Sequence, residues 1–524
     1  MSTNTTPWIQ TVTLTPPSLK DNTADADRLI QTLKSRLDTP AIRIDPELLK
    51  VLPTVLRESS FKVHCIVFKE RHQWVLTGIR DAKTAARIAG LAIDLGTTRV
   101  VLRLIDLADG NTLAESAFDN PQDTIGPDIL ARIHFAEKEN GLKKLNQLII
   151  DGLNNAIIKL CDSQHLEPEQ IYALSVAGNT TMTHFFMGLD PQWLIREPYI
   201  PVVNSPGIVK AQALGLGVHP QARVFVFPNI GSYFGGDLIA GILFSGIYKK
   251  SRTGILVDVG TNAEVVLGNK NWLIACAGAA GPALEGGVTR MGMTAGPGVI
   301  DRIRVDPNTR DFNIHTIEDL PPRGICGSGV IDLAAQLFLA GMIDIRGKLV
   351  PAVCGSKIRE IDGLLHLIVV PAAKSATASD LTISQADLDS LIRSKAAMYT
   401  ILETLTGSVS IAPEDLEAFY VAGTFGSFIN PESAITIGML PDLPIDRYKP
   451  LGNSSLGGAT LALKTNRYHQ DVERIRERIT YLELNVNQDF MNRFSAAKFL
   501  PHTNPKRFPS VKIGEHRLDS PARY

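Results

Sequence analysis

The chain is poor in cysteine and aromatic residues and carries almost no net charge. Its 524 residues include five cysteines, 6% aromatics and 53 basic against 54 acidic side chains, a formal net charge of −1. Cys65, Cys161, Cys276, Cys326 and Cys354 lie far apart, with no Cys-x-x-Cys between them. That spacing argues against a disulfide framework, a zinc site or an iron–sulfur cluster held by one local loop. Each cysteine reads as a small apolar core residue. The balanced charge gives no steering towards nucleic acid or an anionic membrane. No apolar run is long enough to span a bilayer, and the start, Met1-Ser-Thr-Asn-Thr-Thr-Pro7, lacks the charged-then-apolar layout of a signal peptide. These absences leave a soluble, cytoplasmic protein as the expectation.

Hydrophobic residues make up 44% and charged residues 20%, a globular balance. The length exceeds what one core serves and suggests about two to four domains or lobes. The organising stretch is Gly254-Ile-Leu-Val-Asp258-Val-Gly260-Thr261-Asn262-Ala-Glu264-Val-Val-Leu267. It reads as a buried strand that breaks at Asp-x-Gly-Thr and resumes as a second strand. The glycine lets backbone N–H groups approach an anion, the threonine adds a hydroxyl, and the aspartate is placed to hold Mg²⁺ through water. The same device occurs earlier as Leu91-Ala-Ile-Asp94-Leu-Gly96-Thr97-Thr98-Arg-Val-Val-Leu102. One copy reads equally as an ordinary hairpin turn. Two copies in matching contexts point to two similar halves, each aiming a phosphate-gripping hairpin at one cleft.

Residues 1–88 read as a small α+β domain without recognisable chemistry. Alternation over 11–15 predicts an edge strand ending at Pro16-Pro17, helical spacing covers 25–37, and 61–68 with 74–78 read as a hairpin. Residues 82–88 suit a linking helix or a strand. The remainder, 89–524, reads as the two halves, about 89–250 and 251–524. In the first, 146–160 is a periodic helix and 171–176 a strand. Ala177-Gly178-Asn179-Thr180-Thr181 then opens a helix in a way that suits a nucleotide or a cap equally. Residues 195–222 look like an irregular excursion. Pro228-Asn-Ile-Gly-Ser-Tyr-Phe-Gly235-Gly236-Asp237 leads into an apolar helix. Asp237 there is a helix cap or a carboxylate that orients water or takes a proton, and local sequence favours the cap.

In the second half, the glycine-rich run carrying Gly281 and Glu285 implies backbone close to a ligand or another loop. Arg323-Gly-Ile-Cys326-Gly327-Ser328-Gly329 is a glycine turn feeding a helix, and 385–405 is a long helix. The strand 418–421 ends in Ala422-Gly423-Thr424-Phe425-Gly426. The order of strand hairpin, turn, helix, second hairpin and strand-plus-glycine turn describes an ATP cleft between two lobes.

These residues resemble the actin, sugar-kinase and heat-shock chaperone ATPase superfamily. Asp94-Leu-Gly-Thr-Thr98 looks like its first phosphate motif, Asp258-Val-Gly-Thr-Asn262 like its second, and Val421-Ala-Gly-Thr-Phe-Gly426 like its adenosine motif. The resemblance implies an α/β, two-lobed actin/hexokinase-like ATPase with duplicated ribonuclease H-like halves, using ATP and Mg²⁺. Asp237 precedes the second motif by about the interval of the connecting-helix carboxylate in the chaperones, which brings a catalytic role level with the cap. More narrowly, Gly178-Asn-Thr-Thr-Met182, Ala279-Ala-Gly-Pro-Ala-Leu-Glu-Gly286, Gly324-Ile-Cys-Gly-Ser-Gly329 and Ile437-Gly-Met-Leu-Pro441 resemble the ATP-dependent reductive activators of corrinoid proteins. The resemblance covers about residues 9–500.

That family returns Co(II) corrinoid to Co(I). The resemblance therefore implies a corrinoid protein as partner, with Asp94, Asp258 and Asp237 as the reacting-site carboxylates and Asp94 and Asp258 at the metal. Typical members carry an N-terminal [2Fe–2S] ferredoxin-like domain, whereas residues 1–88 hold only Cys65. No iron–sulfur cluster is expected in this chain, and electrons are expected from a separate ferredoxin or flavoprotein. The remaining route to a cluster is one shared across a homodimer through Cys326 and Cys276, against which stands the reading of both as buried core residues. The competing functions are a small-molecule kinase with Asp237 as general base and a nucleotide-switched ATPase that closes around a protein partner.

Overall fold

The computed structural model describes residues 8–70, 73–84, 87–259, 263–278, 289–423, 429–482 and 488–512. The chain divides into two compact units, residues 1–244 with 454–477 and residues 245–453 with 478–524.

The first unit begins with β1 (Ile9–Thr13), α1 (Asp25–Leu37), β2 (Ile42–Ile44), α2 (Pro46–Glu58), β3 (Lys62–Glu70) and β4 (Gln73–Asp81). The strands form one sheet in the order β1-β3-β4-β2, so β1 is an edge strand that ends before the two prolines. Helix α1 buries Leu29 and Leu33 on one stripe, and α2 starts with Asp45 as cap and Pro46 in its first turn. The described residues after β4 form neither the helix nor the strand expected there. Residues 82 and 83 turn, and Thr84, Arg87 and Ile88 are irregular.

Next come β5 (Ala89–Leu95), β6 (Arg99–Asp106), β7 (Thr112–Asp119), α3 (Ile129–Ala136), α4 (Gly141–Asp162), β8 (Ile171–Gly178), α5 (Thr180–Met187), β9 (Gly207–Lys210), β10 (Arg223–Val226) and α6 (Gly236–Ser245). The sheet order is β7-β6-β5-β8-β10-β9. Strand β6 runs antiparallel to both β5 and β7, while β8 lies parallel to both β5 and β10. All eight residues of β8 are buried, as expected of a parallel strand covered on both faces. Arg223 in β10 is 1% exposed and binds Glu70 (2.6 Å) and Asp45 (3.3 Å), which fastens the N-terminal sheet to this one.

The second unit holds β11 (Gly254–Val259), β12 (Ala263–Gly268), β13 (Leu273–Gly278), β14 (Val299–Val305), β15 (Phe312–Thr316), β16 (Gly324–Ile325), α7 (Gly327–Ala340), β17 (Ile358–Ile361), β18 (Leu364–Val370), β19 (Leu381–Ser384), α8 (Gln385–Ser408), β20 (Ala418–Ala422), α9 (Pro431–Thr436) and β21 (Tyr448–Gly452). The chain returns to the first unit with α10 (Ser454–Lys464) and α11 (Arg467–Arg478), then closes the second with β22 (Ile479–Tyr481) and α12 (Gln488–Ala497). The main sheet here reads β21-β20-β11-β12-β13-β22, and two three-stranded sheets, β15-β14-β16 and β17-β18-β19, are inserted between β13 and β20. Setting aside edge strands β9 and β22, the two main sheets have one topology. An antiparallel three-strand meander is followed by two strands added in parallel to its first member. This duplicated, ribonuclease H-like α/β arrangement is the actin/hexokinase-like fold that the paired motifs imply.

Helix α10 packs on β5 and β8 and meets α6 with almost no side chain between them. A Cβ on Gly458 would run into the backbone carbonyl of Ala240, and one on Gly457 would lie 2.6 Å from Phe244 Cδ2. Backbone cannot yield as a side chain does. Gly458→Val is therefore expected to cost about 1–3 kcal/mol or more of stability, read as a lowered urea midpoint at unchanged slope. An unchanged midpoint would show that the two helices separate freely.

Candidate active site

The turn between β5 and β6 is built by residues far from it in sequence. Asn120 Nδ2 donates to Gly96 O (3.0 Å), Arg132 Nη1 to Thr97 O (2.8 Å), and the Asn120 backbone N–H to Thr98 O (2.7 Å). A trans peptide points its N–H opposite to its C=O. With three successive carbonyls held inward, the N–H groups of Thr97, Thr98 and Arg99 face the other way, an anion-binding arrangement. Gly96 is required because a Cβ would collide with the Arg99 carbonyl. Asn179 Nδ2 donates to Thr97 Oγ1 (2.9 Å), which leaves that hydroxyl's own proton to point at a ligand. Asp94, half-buried near the end of β5, accepts from Ser455 Oγ (2.7 Å) in the first turn of α10.

Asn179 also caps α5, its Oδ1 accepting from Met182 N (2.9 Å). Thr180 Oγ1 donates to Gly231 O (3.1 Å) in the loop that precedes α6. That loop is fixed by the excursion before β9. Asn204 Oδ1 accepts from Asn229 Nδ2 (3.0 Å) and Gly231 N (3.1 Å), and Asn204 O accepts from Asn229 N (2.8 Å). The excursion is itself pinned by buried His184. Its Nε2 accepts from Val202 N (3.1 Å) and its Nδ1 bonds Thr180 O (2.7 Å), which sets a neutral tautomer. Burial holds the His184 pKa below the ordinary range.

Asp237 is the second residue of α6, so Gly235 and not Asp237 occupies the cap position. The half-buried carboxylate accepts from Leu238 N (2.8 Å). A Cβ on Gly235 would lie 2.5 Å from Asp237 Oδ1 and 2.5 Å from Asn179 Cα. Asp237 therefore lies at the β8–α5 turn, in the same corner of the first half as the tethered hairpin.

In the second half, Asp258 pairs with Glu264 on β12 and Ala422 on β20. Gly423 follows at φ +82°, and a Cβ there would stand 3.1 Å from Asp258 Oδ1. Gly260, Thr261, Asn262, Gly281, Glu285, Thr424 and Gly426 lie outside the described residues. Gly327 and Ser328 open α7 behind Cys326, whose Sγ contacts Ser328 Oγ (3.1 Å) and Ile300 O (3.3 Å). Gly438, at φ +72°, packs against the Pro501 carbonyl, and buried Lys395 donates to the same carbonyl (2.7 Å). The Ile437-Gly-Met-Leu-Pro stretch thus locks the C-terminal segment in place.

All five cysteines are free and buried. Burial pushes the thiols of Cys65 and Cys276 up to about 12 and that of Cys161 to about 11. Among the described residues no group of His, Cys, Asp and Glu is arranged to hold a metal by itself. No helix among them is long and apolar enough to cross a membrane. The parts that sequence reasoning missed are the tethers Asn120, Arg132, Asn204, Asn229 and Ser455. Asn120 and Asn229 sit beside prolines in loops, Asn204 lies in the excursion, and Arg132 and Ser455 lie in the first turns of helices, so no shared pattern marked them.

Three family models match the chain, the RACo linker region over residues 2–86, the RACo middle region over 89–250, and the "C-terminal domain of RACo the ASKHA domain" over 252–512. The corrinoid activation enzyme RamQ of Eubacterium limosum is 29% identical over 481 residues, 90% of this chain and 79% of that one. A [Co(II) methylated amine-specific corrinoid protein] reductase of Methanosarcina barkeri is 25% identical over 444 residues, 77% of this chain and 75% of that one. The solved structure of a reductive activator for corrinoid, iron–sulfur protein superposes with TM-score 0.87 at 38% identity, covering 97% of this chain and 81% of that one.

The two bonds of Asn179 are separable. Asn179→Asp keeps the cap and loses the donor to Thr97, so stability is expected to hold. Asn179→Ala loses both and is expected to cost about 0.5–2 kcal/mol. Urea unfolding of the two variants checks this, and equal losses would remove the capping role.

Proposed function

The chain belongs to the RACo family of reductive activators of corrinoid proteins, and we propose that it uses ATP to return a Co(II) corrinoid protein to Co(I). The observation that supports this best is the β5–β6 turn, whose inward-tied carbonyls turn successive N–H groups to where a phosphate would lie. The donor set suits a polyphosphate, with backbone amides, the Thr97 hydroxyl and a carboxylate beside them. Asp94 and Asp258 end the first strand of each half, and their hard oxygens are the kind Mg²⁺ takes. When bound, Mg²⁺ would neutralise charge on the phosphates. We assign Asp237 the task of orienting the water that attacks the terminal phosphate, and the Gly423 turn the task of letting a nucleoside lie on bare backbone.

One electron leaves an external donor, a ferredoxin or flavoprotein, and enters cobalt. The donor is oxidised by one equivalent as Co(II) becomes Co(I), and ATP becomes ADP and phosphate. The transfer is uphill, so the nucleotide-bound complex with the corrinoid protein must stabilise Co(I) over Co(II). No iron–sulfur cluster of this chain takes part in the proposed route.

The test mixes the protein, Mg-ATP, a reductant and a Co(II) corrinoid protein and follows the cobalt absorbance. Co(I) is expected only with ATP present. Phosphate transfer to an added alcohol or carboxylate with no cobalt change would favour a kinase instead. Asp94→Asn and Asp258→Asn are each expected to weaken magnesium-linked hydrolysis, and unchanged rates in both would remove the two-hairpin assignment. Asp237→Asn is expected to slow hydrolysis by about 10²–10⁴-fold at little change in nucleotide affinity. A silent Asp237→Asn would return the residue to a structural role.

A further inference from the structure

Behind the β5–β6 turn lies a buried polar layer that none of the motifs contains. Asn120 is 1% exposed, and Gln122 and Arg132 are fully buried. The Arg132 guanidinium donates through Nε to Gly126 O (2.8 Å), through Nη1 to Thr97 O (2.8 Å) and Gln122 Oε1 (3.3 Å), and through Nη2 to Asp123 Oδ1 (2.5 Å). Gln122 Nε2 passes the chain on to Leu145 O (2.9 Å) in α4, and Gln122 N is held by Asn120 Oδ1 (3.0 Å). Asn120 in turn holds Gly96 O and Thr98 O.

Placing a full guanidinium out of water is costly, and an ion pair to a carboxylate that is 44% exposed returns little of that cost. A helix such as α3 needs no buried arginine to pack. What the arginine supplies is a rigid planar fork that reaches four acceptors on two segments at once, the β5–β6 turn and residues 122–126, which a lysine cannot do. One of the four is the central peptide of the phosphate turn.

We propose that Arg132 and Asn120 are positioning residues for nucleotide phosphate, holding the Gly96-Thr97-Thr98 peptides in the orientation that presents their N–H groups. The proposal rests on the reading of this turn as a phosphate site. Neither side chain touches the nucleotide. Each acts through a carbonyl, the Arg132 guanidinium on Thr97 and the Asn120 amide on Gly96, while the Asn120 backbone N–H holds Thr98 O. Without the tethers the peptides rotate, and a carbonyl turned outward meets phosphate with like partial charge. The loss should therefore fall on phosphate and spare the nucleoside.

The experiment compares binding of ATP, ADP and adenosine, with Mg²⁺, to the full chain and to four variants. Asn120→Asp keeps the acceptor for Gln122 N and replaces the donor to Gly96 O by a carboxylate. Arg132→Lys keeps the charge and removes the fork. Both are expected to weaken ATP and ADP about tenfold or more while adenosine stays within about twofold. Asp123→Asn, changed at the half-exposed end of the network, is expected to show a smaller loss of the same kind, and it carries the test should Arg132→Lys not fold. Gly96→Val breaks the turn directly and is expected to abolish the advantage of ATP over adenosine. Full ATP affinity in Asn120→Asp and Asp123→Asn, with Gly96→Val defective, would overturn the positioning role alone. Full ATP affinity in Gly96→Val would overturn the phosphate site and the positioning role together. Equal losses for ATP and adenosine, with a lowered melting midpoint, would reduce the layer to core structure.

Discussion

A peptide group that is to donate outward must have its carbonyl satisfied inward, and much of the first half is arranged around that requirement. The turn Gly96-Thr97-Thr98 gives up three carbonyls to the protein, and each needs a donor that stays put without water. Asn120 and Arg132 supply those donors from the segment after β7 and from α3. Asn179 completes the set by fixing the Thr97 side chain while capping α5. Strand β8 places Asn179 because it lies parallel to β5, with Leu95 opposite Gly178. The sheet register thus delivers the α5 N-terminus to the hairpin.

The second half repeats the register that matters. Asp94 pairs with Ala177 across β5 and β8, and Asp258 pairs with Ala422 across β11 and β20. In each case a glycine follows on the neighbouring strand, Gly178 packed against Leu95 and Gly423 beside Asp258. The halves differ in what surrounds this frame. The first carries the Asp237 loop, organised by Asn204, Asn229 and Thr180, while the second carries two inserted sheets and the Cys326 turn. Similar frames with different loops are what a duplicated domain needs to give its copies unlike tasks.

The frame was legible in the sequence because it follows from short-range pattern. Two apolar runs broken at Asp-x-Gly-Thr are a hairpin whatever surrounds them, and α1 at Asp25–Leu37 follows directly from its apolar stripe. The tethers were not legible, since Asn120 and Arg132 act across 24 and 35 residues on backbone atoms that no pattern names. Asp237 shows the same limit. Local sequence read it as a cap, whereas the helix already starts at Gly236 and the carboxylate lies beside Gly235, which itself packs on Asn179. Helical propensity also misled after β4, where the described residues 82–84, 87 and 88 hold only a turn and irregular chain. A buried histidine at 184 that pins an excursion is invisible for the same reason, because its acceptor and donor come from tertiary neighbours.

The direction in which the β5–β6 turn presents its amides decides whether it holds phosphate, and a crystal structure with Mg²⁺ and a non-hydrolysable ATP analogue measures that directly. Phosphate oxygens at about 3 Å from the N–H groups of Thr97 and Thr98, with Gly96 O and Thr97 O still bound to Asn120 and Arg132, are the predicted result. Phosphates bound elsewhere, or a turn whose carbonyls have left Asn120 and Arg132 when nucleotide is bound, would contradict it.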